Sequence, residues 1–61
     1  MFVKCFIVEL NSSLESMYDQ LRDGGFDWSE RRIDGGYIEI TFEEWECRRI
    51  QEVMEIMKWY V

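Results

Sequence analysis

The sequence predicts an α+β fold in the order β-α-β-β-α, a three-stranded sheet with two helices packed on one face. Three observations carry that prediction: an apolar, β-rich opening, a glycine turn followed by two-residue alternation, and two stretches with apolar residues at helical spacing.

The run Phe2-Val3-Lys4-Cys5-Phe6-Ile7-Val8 is rich in β-branched and aromatic residues and apolar on both alternating phases. It reads as a first strand covered on both faces, or a central one. Asn11-Ser12-Ser13 breaks the run, and Ser12 with Glu15 has the spacing of a capping box at a helix start. Leu14, Met17, Tyr18 and Leu21 follow at i, i+3, i+4 and i+7, one narrow apolar face, and Gly24 is the expected left-handed stop.

Phe26–Ile33 carries many charges and weak alternation, the pattern of an edge strand protected against further pairing. Asp34-Gly35-Gly36 offers positive-φ residues for a hairpin turn, and Tyr37-Ile38-Glu39-Ile40 alternates with both isoleucines on one face. Thr41 with Glu44 repeats the capping-box spacing, so a helix is expected from there to the end of the chain. A right-handed crossover from the first strand, with the third strand between the first two, completes the expected topology.

All of this fits one domain over residues 1–61, a length at which burial and chain entropy nearly cancel. With 48% hydrophobic and 16% aromatic residues, the chain is too apolar for a disordered acidic segment. Cys5 and Cys47 both lie in apolar surroundings and are expected to be reduced, buried thiols. The apolar opening is too short for a membrane span and is not followed by a small-residue cleavage site, so a cytoplasmic protein is expected. Thirteen acidic against seven basic residues give a net charge of −6, which disfavours direct contact with nucleic acid or an anionic membrane and favours a partner with a basic surface.

The residues give little footing to catalysis. Histidine is absent, and neither Lys4 nor Lys58 has an evident serine to activate, which leaves Cys5 as the least unsuitable nucleophile. Gly24-Gly25 lacks the lysine and helix start of a phosphate loop, and the carboxylates are read as a solvated face rather than an acid pair. Asp19, Asp23 and Asp27 are spaced by four but run past the helix end, and match no calcium loop. No catalytic residue, cofactor or metal is therefore expected.

The last helix is more informative. At about 100° per residue, Cys47, Ile50, Val53, Met54, Met57, Tyr60 and Val61 form a broad core stripe. Trp45, Ile56 and Trp59 gather on a second sector bordered by Arg48, Arg49, Glu52 and Glu55. Either that sector packs on the sheet margin or Trp28, or its rings are anchors at an interface. Glu39, Glu43, Glu44 and Glu46 cluster where the third strand enters the helix, and spaced carboxylates can occupy a groove built for phosphates.

These features point to a small acidic, non-enzymatic protein-binding module. It would act as an inhibitor or regulator, a nucleic-acid mimic blocking a basic surface of a nucleic-acid-handling protein. Its size and acidity are in the style of anti-defence proteins of phages and mobile elements, although no motif assigns it to a family. The candidate partner-binding residues are Trp45, Ile56, Trp59, Glu39, Glu43, Glu44 and Glu46. The alternative is an obligate homodimer, a scaffold or accessory protein, whose aromatic edge is used for self-association.

Overall fold

The structure is a computed structural model that describes residues Met1–Val61. Its elements run β1 (Phe2–Glu9), α1 (Ser13–Asp23), β2 (Trp28–Ile33), β3 (Tyr37–Glu44) and α2 (Cys47–Met57), the predicted β-α-β-β-α order. The sheet has the order β1-β3-β2, with β3 antiparallel to both neighbours. The third strand thus lies between the first two, and α1 is the crossover connection.

Register sorts the side chains by face, because residues directly opposite in a ladder point the same way. Phe6 lies across from Ile40, Val8 from Ile38 and Trp28 from Phe42. That face, covered by both helices, supplies Val8, Ile38, Ile40 and Phe42 to the core, joined by Met17 and Leu21 of α1, by Phe26, and by Ile50, Val53 and Met57 of α2. The rings of Phe6 and Phe42 meet edge to face at 5.9 Å. On the other face Val3, Cys5, Ile7 and Glu9 alternate outward, beside Tyr37, Glu39, Thr41 and Glu43 of β3. No helix covers them.

β1 therefore departs from expectation. It is an edge strand with one bare face, and Val3 and Ile7 remain 55% and 48% exposed. Apolar residues on both phases marked a double-sided strand in the sequence, yet two helices of eleven residues each cover only one side of a three-stranded sheet. Cys5 is on the bare face, its Sγ 3.3 Å from Thr41 Oγ1, so the expected buried thiol is exposed. Cys47 is exposed as well, at the first turn of α2.

The boundaries of α1 follow local hydrogen bonding. Ser12 is the N-terminal cap residue, but its side chain makes no capping bond and its backbone is already helical. Instead Asn11 Oδ1 accepts the Ser13 N–H at 2.8 Å, so the capping box of Ser12 and Glu15 is replaced by an asparagine one residue earlier. At the other end Phe26 N–H reaches Leu21 O and Gly25 N–H reaches Arg22 O, the paired bonds of a Schellman stop. The left-handed residue is Gly25, with φ 69°, and not Gly24, whose φ is −78°. Gly24 is needed for another reason: a β-carbon there would run into the Phe26 ring.

Gly35 and Gly36, at φ 91° and 82°, turn the β2–β3 hairpin as expected. β3 then continues through Thr41 to Glu44, and α2 starts only at Cys47. The second capping-box reading fails because Thr41 and Phe42 extend the alternation begun at Tyr37. Phe42 enters the core fully buried while Thr41 faces outward to Cys5. Glu46, in extended conformation, takes the cap position without a side-chain bond. α2 ends at Met57 rather than at the chain terminus, and Trp59 lies in the turn that follows. Of its expected stripe, Ile50, Val53 and Met57 are buried and Tyr60 packs on them, whereas Met54 and Val61 are exposed.

Candidate functional site

Antiparallel register brings the start of β1 and the end of β3 to one end of the sheet, where Phe2 lies across from Glu44 and Val3 from Glu43. Trp45 follows directly in the bend before α2 and is 78% exposed. Met1, Phe2 and Val3 are exposed at the same end. One indole, one phenyl and two aliphatic side chains are thus exposed at this end of the sheet, Phe2 on the helix side and Val3 on the bare face.

Carboxylates share this end of the sheet. Glu43 projects on the bare face, Glu44 on the helix side and Glu46 from the bend. Trp28 and Ser29 open β2 at the same end, across from Phe42 and Thr41. With Asp27, Thr41 and Glu43 they line a shallow groove of about 260 Å³. None of Asp27, Glu43, Glu44 and Glu46 forms an ion pair within 4 Å. Their negative fields are therefore unquenched by any salt bridge, and a guanidinium placed there meets acceptors that it does not have to share.

The remaining candidates lie elsewhere. Glu39 is on the bare face, held 3.2 Å from Arg31 Nη2 across the β2–β3 ladder. Ile56 is half-buried and packs against the core. Trp59, 76% exposed, sits beyond the far end of α2 with Lys58 Nζ 5.5 Å from its ring centroid. It lines a small pocket of about 100 Å³ with Val8, Asn11, Ser13, Leu14 and Tyr60. Trp45 and Trp59 thus share no helical sector: one precedes α2 and the other follows it, and the eleven helical residues between them rise roughly 16 Å. The spacing of about 100° per residue does not apply to them, because residues 45 and 59 lie outside the helix.

Met1, Phe2 and Val3 were absent from the sequence-based candidates, since Phe2 and Val3 read only as part of the first strand and Met1 lay outside it. The signal that finds them is the pairing of β1 with β3, which sets Phe2 beside the residue before Trp45.

A second cluster spans α1 and β2. Tyr18 stacks on Trp28 with centroids 5.7 Å apart and planes within 10°. The Tyr18 hydroxyl donates to Glu30 Oε2 at 3.1 Å, and the Trp28 indole N–H donates to Glu30 Oε1 at 3.2 Å. Burial and the adjacent Glu30 carboxylate raise the Tyr18 pKa, with Arg32 acting in the opposite direction. The cluster ties α1 to β2 and leaves Trp28 half-buried, so this tryptophan is structural where Trp45 is free.

Comparison with family models, with curated proteins and with solved structures finds no match. No helix is long and apolar enough to cross a membrane.

Proposed function

We propose that this chain is an acidic protein-binding module that docks on a basic surface of a nucleic-acid-handling protein and blocks it. The observation that carries the reading is the juxtaposition, at one end of the sheet, of exposed Trp45, Met1, Phe2 and Val3 with the unpaired carboxylates of Asp27, Glu43, Glu44 and Glu46. Tryptophan buried at the centre of an interface is among the residues that most often dominate binding energy, while charges at its rim govern encounter rate and partner choice. An apolar anchor within an acidic rim therefore fits a partner that offers an apolar pocket bordered by arginine or lysine. Such a border is what a phosphate-binding groove presents. Inhibition follows because the carboxylates occupy guanidinium groups that would otherwise hold phosphates.

The experiment is capture of partners from host lysate by wild-type chain, by Trp45→Ala and by the double variant Glu43→Lys/Glu46→Lys, each washed at low and raised salt. A specific partner is expected on the wild type, released as salt rises and lost from both variants. A captured partner that has no nucleic-acid-binding surface, or that binds Trp45→Ala as well as wild type, would overturn the assignment.

A further inference from the structure

The two outer edges of the sheet are unlike. Leu10 N–H bonds to Gly36 O at 2.8 Å, and this fixes the phase of the β1–β3 ladder: even-numbered residues of β1 turn their backbone groups toward β3, and Val3, Cys5, Ile7 and Glu9 turn theirs outward. By the same phase, the outward residues of β2 are Trp28, Glu30 and Arg32. The β2 edge thus carries two charged side chains and lies beside Tyr18 of α1, a guarded edge. The β1 edge is eight residues long, and of its outward residues Val3, Cys5, Ile7 and Glu9 only the last is charged. Unpaired strands of this length and apolarity are templates for another strand.

We infer that β1 pairs with β1 of a second copy of this chain, antiparallel across a two-fold axis, to form a continuous six-stranded sheet in the order β2-β3-β1-β1-β3-β2. Self-complementarity selects this occupant. An antiparallel pair keeps each face continuous, so bare-face residues meet bare-face residues and only registers centred on one residue are allowed. Centring on Lys4 sets two ammonium groups opposite each other. Centring on Cys5 leaves the outward groups of Glu9 opposite Met1, beyond the strand, and brings the two lysines into diagonal contact.

Centring on Phe6 pairs Val3 with Glu9 and Cys5 with Ile7 of the second copy, and so gives every outward backbone group of β1 a partner. In that register the phenyl rings of Phe6 meet at the axis in a close, non-hydrogen-bonded pair, and each Lys4 stem lies against Val8. No like charges face one another, although the chain as a whole carries −6. On the bare face the exposed Val3 and Ile7 of both copies then cover one another's flanks. Of the sheet end bearing Trp45, only Phe2 and Val3 enter this contact; Trp45, Glu43, Glu44 and Glu46 lie on or beyond β3 and stay outside it, so the pairing does not rest on the binding role assigned to them.

The test is sedimentation equilibrium of the wild type, of Cys5→Pro and of Ile7→Glu. Cys5→Pro removes an N–H that points away from β3, leaving the intramolecular ladder intact. Ile7→Glu keeps the backbone and sets carboxylates diagonally across the axis. The wild type is expected to be a dimer at about 100 µM that dissociates on dilution to about 1 µM, the affinity range of a contact below standard interface size. Both variants are expected to be folded monomers by circular dichroism; should proline unfold the chain, Ile7→Glu alone decides.

Register is read by mild oxidation of an Ile7→Cys/Cys47→Ser variant, in which the introduced thiol is expected to crosslink with Cys5 of the other copy. A wild type that stays monomeric at about 100 µM, a dimer untouched by either variant, or open-ended higher assemblies would overturn the pairing. Efficient crosslinking of Cys5 to itself in Cys47→Ser alone would overturn the register.

Discussion

Arg49 is the side chain on which the junction of the two helices turns. Its Nη2 donates to Gly24 O at 2.9 Å and Gly25 O at 3.3 Å, its Nη1 approaches Glu52 at 3.3 Å, and its guanidinium lies 4.1 Å from the Phe26 ring centroid. One residue of α2 thereby satisfies the carbonyls left over where α1 stops, and covers the aromatic ring that closes the Schellman motif. A hydrogen bond from a charged donor contributes about 1.5–3 kcal/mol, the cation–π contact about 0.5–1 and the half-exposed ion pair close to nothing. Since the Arg49 side chain is about a third exposed, the lower ends apply, and Arg49→Ala is expected to cost about 2 kcal/mol.

Against a total of about 3–9 kcal/mol for a domain of this size, that loss is large. With a urea slope near 1 kcal/mol/M it lowers the midpoint of unfolding by about 2 M. Arg49→Lys is expected to recover only part, because an ammonium cannot bridge both carbonyls while lying flat over the ring. A loss below about 0.5 kcal/mol for Arg49→Ala would refute the reasoning, since that is the range of a surface residue without partners. So would a double-mutant cycle with Phe26→Leu that shows no coupling.

Other outcomes follow from the same geometry. Trp45→Ala is expected to change stability by no more than about 0.5 kcal/mol in urea unfolding, because the ring is already in water. Gly25→Ala, at φ 69°, is expected to cost about 1 kcal/mol from backbone strain, and Gly24→Ala more, because the collision there is with a buried ring; their order in thermal unfolding checks the assignment of the helix stop. Tyr18, followed by its ring resonances, is expected to ionise above an ordinary tyrosine. Its raised folded-state value means that its contribution to stability is fully present below the unfolded pKa of about 10 and is lost as pH rises through the folded value. Glu30→Gln is expected to lower the Tyr18 value without restoring it fully, since burial is the largest cause and remains; no movement on that substitution would detach Tyr18 from Glu30.

Much of the fold was legible because its signals are local. Glycines at 35 and 36 mark a turn, Ile38 and Ile40 mark the face of β3, and Met17 and Leu21 mark the core side of α1. Errors arose where a local pattern had two meanings. Thr41 and Glu44 have the spacing of a helix start, but Thr41 also continues a two-residue alternation, and burial of Phe42 decides for the strand by placing a whole phenyl ring in the core. Cys5 and Val3 are apolar enough to be buried, yet whether a second layer covers them is a property of the assembled chain and not of any window of residues.

The candidate site shows the same division more sharply. Trp45 and the glutamates at 43, 44 and 46 were legible as exceptions, a large ring and a run of charge beside a core stripe. Their neighbours Met1, Phe2 and Val3 were not, because only strand pairing over some forty residues of chain brings them together. That same pairing decides the fate of β1. If β1 had been the central strand, both its edges would have been paired, and its apolar pattern would have had an ordinary structural use. With β3 in the centre, β1 carries a central strand's sequence in an edge strand's position. The edge pairing proposed above would reconcile a sequence suited to the middle of a sheet with a fold that leaves it at the margin, because the register centred on Phe6 lets a second copy extend the sheet without placing like charges together.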